Sequence, residues 1–197
     1  MFEAFAVSAG VVALGEMGDK TQLLALLLAA RWRQPRPIIL GIAVATLLNH
    51  AGAGALGAWL AQLLDPTWLR WALGASFLGV AVWMLIPDRA GALEPQRGGR
   101  LGVFGITVIA FFLAEMGDKT QIATVMLAAR YNALVVVTMG TTLGMLLANV
   151  PVVLLGERVL RYVPIVWVHR VAAAVFAVLG VLVLAGLGGG SGGGSGA

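Results

Sequence analysis

Six long apolar runs dominate the chain, near residues 4–29, 38–62, 68–87, 101–129, 133–157 and 164–187. Each meets or exceeds the roughly 20 residues a helix needs to cross the hydrocarbon core of a bilayer. None alternates like a barrel strand, and none has the single polar face of a soluble amphipathic helix. The pattern therefore predicts helices solvated by lipid, in which every backbone N–H and C=O is paired within its own segment. The runs are separated by Pro35 and Pro37, by Asp65 with Pro66, by the stretch from Pro87 to Arg100, and by Pro164. The first and fourth runs are longer than a crossing requires, so each should be tilted or interrupted near its middle.

The runs are not independent. EMGDKTQLLALLLAAR at 16–31 returns as EMGDKTQIATVMLAAR at 115–130, a shift of 99 positions that also carries Gly41 onto Gly140, Gly57 onto Gly156 and Phe77 onto Phe176. Duplication accounts for this economically. Each copy holds an odd number of spans, so the second enters the membrane in the opposite sense to the first. The expected fold is an all-α integral membrane protein with six transmembrane helices arranged as two inverted three-helix repeats, the substrate site lying at the midplane. On this reading residues 1–187 form one membrane transport domain: repeat one at 1–87, a cytoplasmic loop at 88–100, and repeat two at 101–187. Residues 188–197, GGGSGGGSGA, have the composition of an engineered linker and are set aside.

Composition sharpens the picture. Hydrophobic residues make up 60% of the chain and charged residues 11%, too little polar surface to clothe a soluble globule. The net charge of +4 comes from arginines in short loops, which suits topology setting and not a nucleic-acid surface. Arg31, Arg33, Arg36, Arg89, Arg97, Arg100, Arg158, Arg161 and Arg170 follow spans one, three and five, whereas Arg70 and Arg130 fall on the other side. The three arginine-rich loops are thus expected in the cytoplasm and both termini outside. Trp32, Trp59, Trp68, Trp71 and Trp167 mostly mark span ends, as an interfacial belt would. Cysteine is absent, which removes disulfides and thiolate metal sites.

The chemistry lies where charge is most expensive. Glu16, Asp19 and Lys20, with Glu115, Asp118 and Lys119, fall about halfway along the first and fourth runs. Unpaired, six such groups would cost about 18 kcal/mol at ~3 kcal/mol each, more than the roughly 5–15 kcal/mol net stability of a fold. They must face inward and be compensated by one another or by a ligand. On a continuous helix Glu16 and Asp19 share a face, as do Glu115 and Asp118, with Gln22 and Gln121 one turn further along. Gly18 and Gly117 between the acids allow close helix approach or local unwinding that frees carbonyls. Thr21 and Thr120 can offer a hydroxyl oxygen or bond the backbone a turn earlier. Asn49, His50 and Asn149 in the second and fifth runs are further candidate ligands, His50 and Asn149 matching under the repeat.

Carboxylate, amide and carbonyl oxygens without thiolate suit calcium, manganese or magnesium. Four carboxylates and two ammonium groups sum to −2, which one divalent ion neutralises; two protons restore that balance once the ion departs. Exchange of metal for protons is the expectation. Lys20 and Lys119 can compensate carboxylates permanently or act as tethered cations that compete with the metal. Other readings are a helix lock made of buried ion pairs, a gated cation channel, an amino-acid-type exporter whose lysines bind a substrate carboxylate, and a membrane-embedded hydrolase. The hydrolase lacks any nucleophile or HExxH-type signature in the chain.

Two copies of E-x-G-D-[KR]-[ST], each opening a three-span unit, resemble the Gdt family of cation transporters of Golgi, thylakoid and bacterial membranes, over essentially all of residues 1–187. The resemblance implies transport of Mn²⁺ or Ca²⁺ as substrate with protons as counter-ion, no enzymatic activity, and in bacteria chiefly export of manganese from the cytoplasm. Position by position, the family's acidic residues fall on Glu16, Asp19, Glu115 and Asp118, with Lys20, Thr21, Lys119 and Thr120 completing the signatures. Neither motif departs from the pattern. The targeting extension and long acidic central loop of some eukaryotic members are missing, and arginine outnumbers lysine, which points to a bacterial inner-membrane member. The expected partners are the metal ion and membrane lipid, with no cofactor; monomer and homodimer stay open.

Overall fold

The computed structural model describes residues 1–86, 102–156, 158 and 164–186, and all regular structure among them is helical. The elements are α1 (Phe2–Glu16), α2 (Lys20–Trp32), α3 (Pro35–Leu63), α4 (Pro66–Met84), α5 (Gly102–Glu115), α6 (Lys119–Tyr131), α7 (Leu134–Leu155) and α8 (Ile165–Leu184). The expected loop at 88–100 and the Gly/Ser stretch at 188–197 lie outside the described residues, as do Arg89, Arg97, Arg100 and Arg161.

Helix ends fall where local chemistry puts them. Pro35 and Pro66 stand in the first turns of α3 and α4, where a missing N–H costs nothing, and the Asp65 carboxylate caps α4 by accepting the Thr67 N–H at 2.8 Å. Arg33 and Asn132 close α2 and α6 in the left-handed conformation. Three stretches are long and apolar enough to cross a membrane unaided: Pro35–Leu63, Leu134–Leu155 and Val166–Leu184. The surface fits such a setting. Leu23, Leu40, Trp59, Val82, Leu147 and Val178 are all exposed, a load of apolar side chains that water would not tolerate.

The first and fourth apolar runs are each interrupted, one of the two alternatives their length allowed. Between α1 and α2, Met17 is extended, Gly18 has φ +84°, and Asp19 opens the next helix. Between α5 and α6, Gly117 has φ +73° and Asp118 takes the opening position. An L side chain is strained at these φ values, so glycine between the two acids is what lets the backbone turn there. One expected loop arginine is placed differently: Arg170 lies inside α8, its guanidinium 5.1 Å from the Trp167 ring centroid, because the helix begins soon after Pro164.

Packing follows the 99-residue register. α1 lies along α7, and α3 lies along α5. A Cβ added to Gly140 would come within 2.7 Å of the Phe5 carbonyl oxygen and 3.0 Å of the Ser8 Cβ; one added to Gly41 would meet the Phe104 carbonyl oxygen at 3.1 Å and the Thr107 Cβ at 2.7 Å. These are the same two contacts, exchanged between the halves. α4 and α8 cross with Phe77 and Phe176, also register partners, at 6.2 Å between ring centroids. One feature breaks the exchange. α4 packs on α6 and α8 on α1, whereas the matching pairs α8–α2 and α4–α5 have no comparable packing. The α4–α8 pair therefore sits to one side of the molecule, in a core of Leu73, Phe77, Val80, Met84, Leu127 and Phe176, while Leu24, Leu28, Ile42, Phe111 and Val152 fill a second core among the other helices.

Candidate functional site

Because both long runs break at their acidic motifs, each motif supplies a helix C-terminus and a helix N-terminus at one depth. Glu16 ends α1 and Asp19 stands at the N-cap position of α2; Glu115 ends α5 and the Asp118 carboxylate caps α6 by accepting the Thr120 N–H. This corrects the expectation of two acids on one continuous helix face. The backbone turn, and not an i, i+3 spacing, sets the direction of each carboxylate. All four are buried.

Oxygens of Glu16, Asp19 and Asp118 lie within 4.8 Å of one another, so acids of both halves converge; Glu115 stands outside that set. Each lysine reaches across to the other half. Lys20 Nζ is 2.8 Å from Asp118 Oδ1, and Lys119 Nζ is 3.3 Å from Asp19 Oδ1. Each glutamate is held by the threonine five residues on: Thr21 Oγ1 donates to Glu16 Oε2 at 2.5 Å and Thr120 Oγ1 donates to Glu115 Oε2 at 3.0 Å. That fixes one oxygen of each glutamate. Glu16 Oε1 and Glu115 Oε1 are buried with no hydrogen-bond partner among the described residues. Dry, unsatisfied carboxylate oxygens are costly, and a cation or proton visiting them would remove the cost.

The glutamines do not line the acid cluster as a further turn of the same face. Gln22 Oε1 accepts the Gly18 N–H at 2.8 Å while its Nε2 donates to the Ala148 carbonyl on α7 at 2.8 Å. Gln121 Oε1 accepts the Gly117 N–H at 2.8 Å while its Nε2 donates to Asn49 Oδ1 on α3. Each glutamine thus ties one break to the middle helix of the other half. Residues 49 and 148 are register partners, so one position is used twice, once through a side chain and once through the main chain. Asn49 Nδ2 also reaches the Phe112 carbonyl at 3.4 Å, and Asn149 Nδ2 donates to the Met145 carbonyl at 3.1 Å. His50 is buried with neither ring nitrogen bonded, and it does not join the converging acids.

Two participants escape a reading by residue type. Ala148 contributes only its carbonyl, which no side-chain motif can reveal. His169 Nε2 lies 3.0 Å from the Met17 carbonyl oxygen and so braces the first break from α8. Its register partner is Arg70, and that correspondence was the one available signal. Among the described residues the second break has no such brace: Met116 and Gly117 are exposed, whereas Met17 and Gly18 are half-buried.

Acids from two broken helices, compensated crosswise by lysines and enclosed in a lipid-facing bundle, define a membrane transporter for divalent cations. The chain belongs to the divalent cation/proton antiporter family GDT1, whose family model matches residues 4–92 and 103–189. It is 51% identical over 177 residues to a protein of Vibrio cholerae serotype O1 named "Putative manganese exporter", covering 89% of this chain and 88% of that one. It is 30% identical over 184 residues to the "GDT1-like protein sll0615" of a Synechocystis strain, covering 81% and 85%. No solved structure matches. The family is one of transporters and not of enzymes.

Proposed function

We propose that the chain exports Mn²⁺ from the bacterial cytoplasm in exchange for protons, as one domain of six spans built from two inverted repeats, 1–87 and 101–187. The observation that carries this reading is the convergence of Glu16, Asp19 and Asp118 from both halves within 4.8 Å. Oxygen donors favour a hard or borderline divalent ion, and the name of the Vibrio cholerae relative supports manganese. Glu16 Oε1 receives the ion in the arrangement seen here, and after its release Glu16 Oε1 and Glu115 Oε1 take up protons. Both termini face outward and the inner membrane is the site of action, in keeping with the loop arginines.

The off-centre position of the α4–α8 pair supports alternating access. In this state α8 lies on α1 with His169 at the Met17 carbonyl, and the second break is open. In the opposite state the pair would lie on α5 and α2, bringing Arg70 to the Met116 carbonyl. Inverted repeats make two such states cheap to encode, since each half takes up the arrangement of the other.

The test uses purified protein in liposomes, with a Mn²⁺-sensitive dye inside and an imposed pH gradient. Uptake should follow the proton gradient and should release protons from the lumen. Mn²⁺ flux that ignores the gradient and moves no protons would replace exchange by uniport, and currents far above carrier turnover would make the protein a channel.

A further inference from the structure

A cavity of about 380 Å³ opens between the start of α4, the end of α6 and the end of α8, lined among others by Pro66, Thr67, Arg70, Arg130, Val183 and Gly186. It is separate from the acid cluster, and its two charges are both positive. Arg130 lines it as well; its Nε and Nη1 are closed off from solvent and, among the described residues, have no hydrogen-bond partner. Among the described residues neither guanidinium has a carboxylate within ion-pairing distance. The acids nearest in sequence or through a shared neighbour are already engaged: Asp65 caps α4, and Glu3 accepts the Tyr131 hydroxyl at 3.2 Å. Both guanidinium groups lie beside the aromatic ring that follows them, Arg70 at 5.8 Å from the Trp71 centroid and Arg130 at 5.2 Å from that of Tyr131. Such stacking orients the planar forks, leaving the exposed Arg70 and Nη2 of Arg130 to meet a ligand.

We infer that this cavity binds a phosphate group, held by Arg70 and Arg130 together. Guanidinium pairs match phosphate oxygens by paired N–H···O bonds, and a buried, unpartnered fork is poorly satisfied by anything else in the cavity. The setting is that of a phospholipid headgroup. Helix ends surround the cavity, and Trp68 and Trp71 on α4 are exposed beside it, at the level where tryptophans meet headgroups. Free phosphate shares the chemistry and is the other source. A ligand here touches α4, α6 and α8 at once, so it would hold the α4–α8 pair in the position seen here.

The experiment is a thermal-unfolding series on the full chain in neutral detergent, with phosphatidylglycerol, with a neutral diacylglycerol, or with inorganic phosphate alone. It reads binding without transport, so it stands or falls apart from the export reading. Phosphatidylglycerol should raise the midpoint by ~3 °C or more over the diacylglycerol. Arg70→Gln, an exposed position that should fold normally, and Arg130→Gln should each lose at least half of that rise, while Arg130→Lys should keep part of it. An equal rise with inorganic phosphate alone that the same variants abolish assigns the site to the free ion. No rise with either phosphate source, or a rise unchanged in the double Arg70→Gln/Arg130→Gln variant, overturns the inference.

Discussion

Lys119, fully shut off from solvent, stands 3.3 Å from Asp19 of the other half, while its register partner Lys20 is 25% exposed at 2.8 Å from Asp118. Removing Lys119 as Lys119→Met takes a counter-charge from the fully buried Asp19, a loss of about 3 kcal/mol. Removing Lys20, whose side chain is 25% exposed, should cost less, since part of that pair already lies at the surface. Thermal unfolding in detergent should therefore show a larger drop in midpoint for Lys119→Met. Equal drops would mean that both pairs are equally buried in solution.

The converging set includes Glu16 but omits Glu115. Glu16→Gln keeps the Thr21 hydrogen bond yet removes a charge from the cluster, and should weaken Mn²⁺ binding by about tenfold or more, ~1.4 kcal/mol. Glu115→Gln should weaken equilibrium binding less but depress turnover as much, since exchange of the halves' arrangements brings Glu115 to the ion. Calorimetry beside liposome flux separates the two effects.

Two glycines of the same chain should respond oppositely. A Cβ at Gly117 meets nothing within 4 Å, so Gly117→Ala suffers only the left-handed φ of +73°, roughly 1–2 kcal/mol. A Cβ at Gly57 would run into the Val125 carbonyl oxygen on α6, a backbone atom that cannot step aside. Gly57→Ala should lower the yield of folded protein sharply while Gly117→Ala folds and transports slowly. Size-exclusion profiles and flux are the readouts.

The chain has no cysteine, so single cysteines report accessibility cleanly. Met116→Cys, at a position 57% exposed, should react with a soluble maleimide faster than Met17→Cys, which is braced by His169. Adding His169→Ala should speed labelling at position 17 by freeing α8. Unchanged labelling would remove His169 from the conformational exchange.

The apolar runs and prolines announced an all-helical chain, which the structure shows, among the described residues, as eight helices with three stretches long and apolar enough to cross a membrane, and the repeat disclosed which residues correspond. The acid cluster was legible as a set of residues but not as a geometry. Treating Glu16 and Asp19 as neighbours on one helix assumed a continuous backbone, although run length and the intervening Gly18 also allowed the break, which its φ of +84° takes up. Gln22 and Gln121 looked like further oxygen donors because residue type says nothing of partners; both amides are spent on Gly18, Gly117 and the opposite half. His50 looked like a ligand through its chemistry, yet burial on α3 leaves it apart from the converging acids. His169 became visible only when α8 was seen beside the first break.

The crosswise pairing of Lys20 with Asp118 and Lys119 with Asp19 has a consequence for biosynthesis. Ribosomes deliver the first half to the membrane before the second exists, so Asp19 and Lys20 must wait in a nascent protein without their final counter-charges. A chain truncated after the first half should be a substrate for quality-control proteases, and supplying the second half as a separate polypeptide should rescue it.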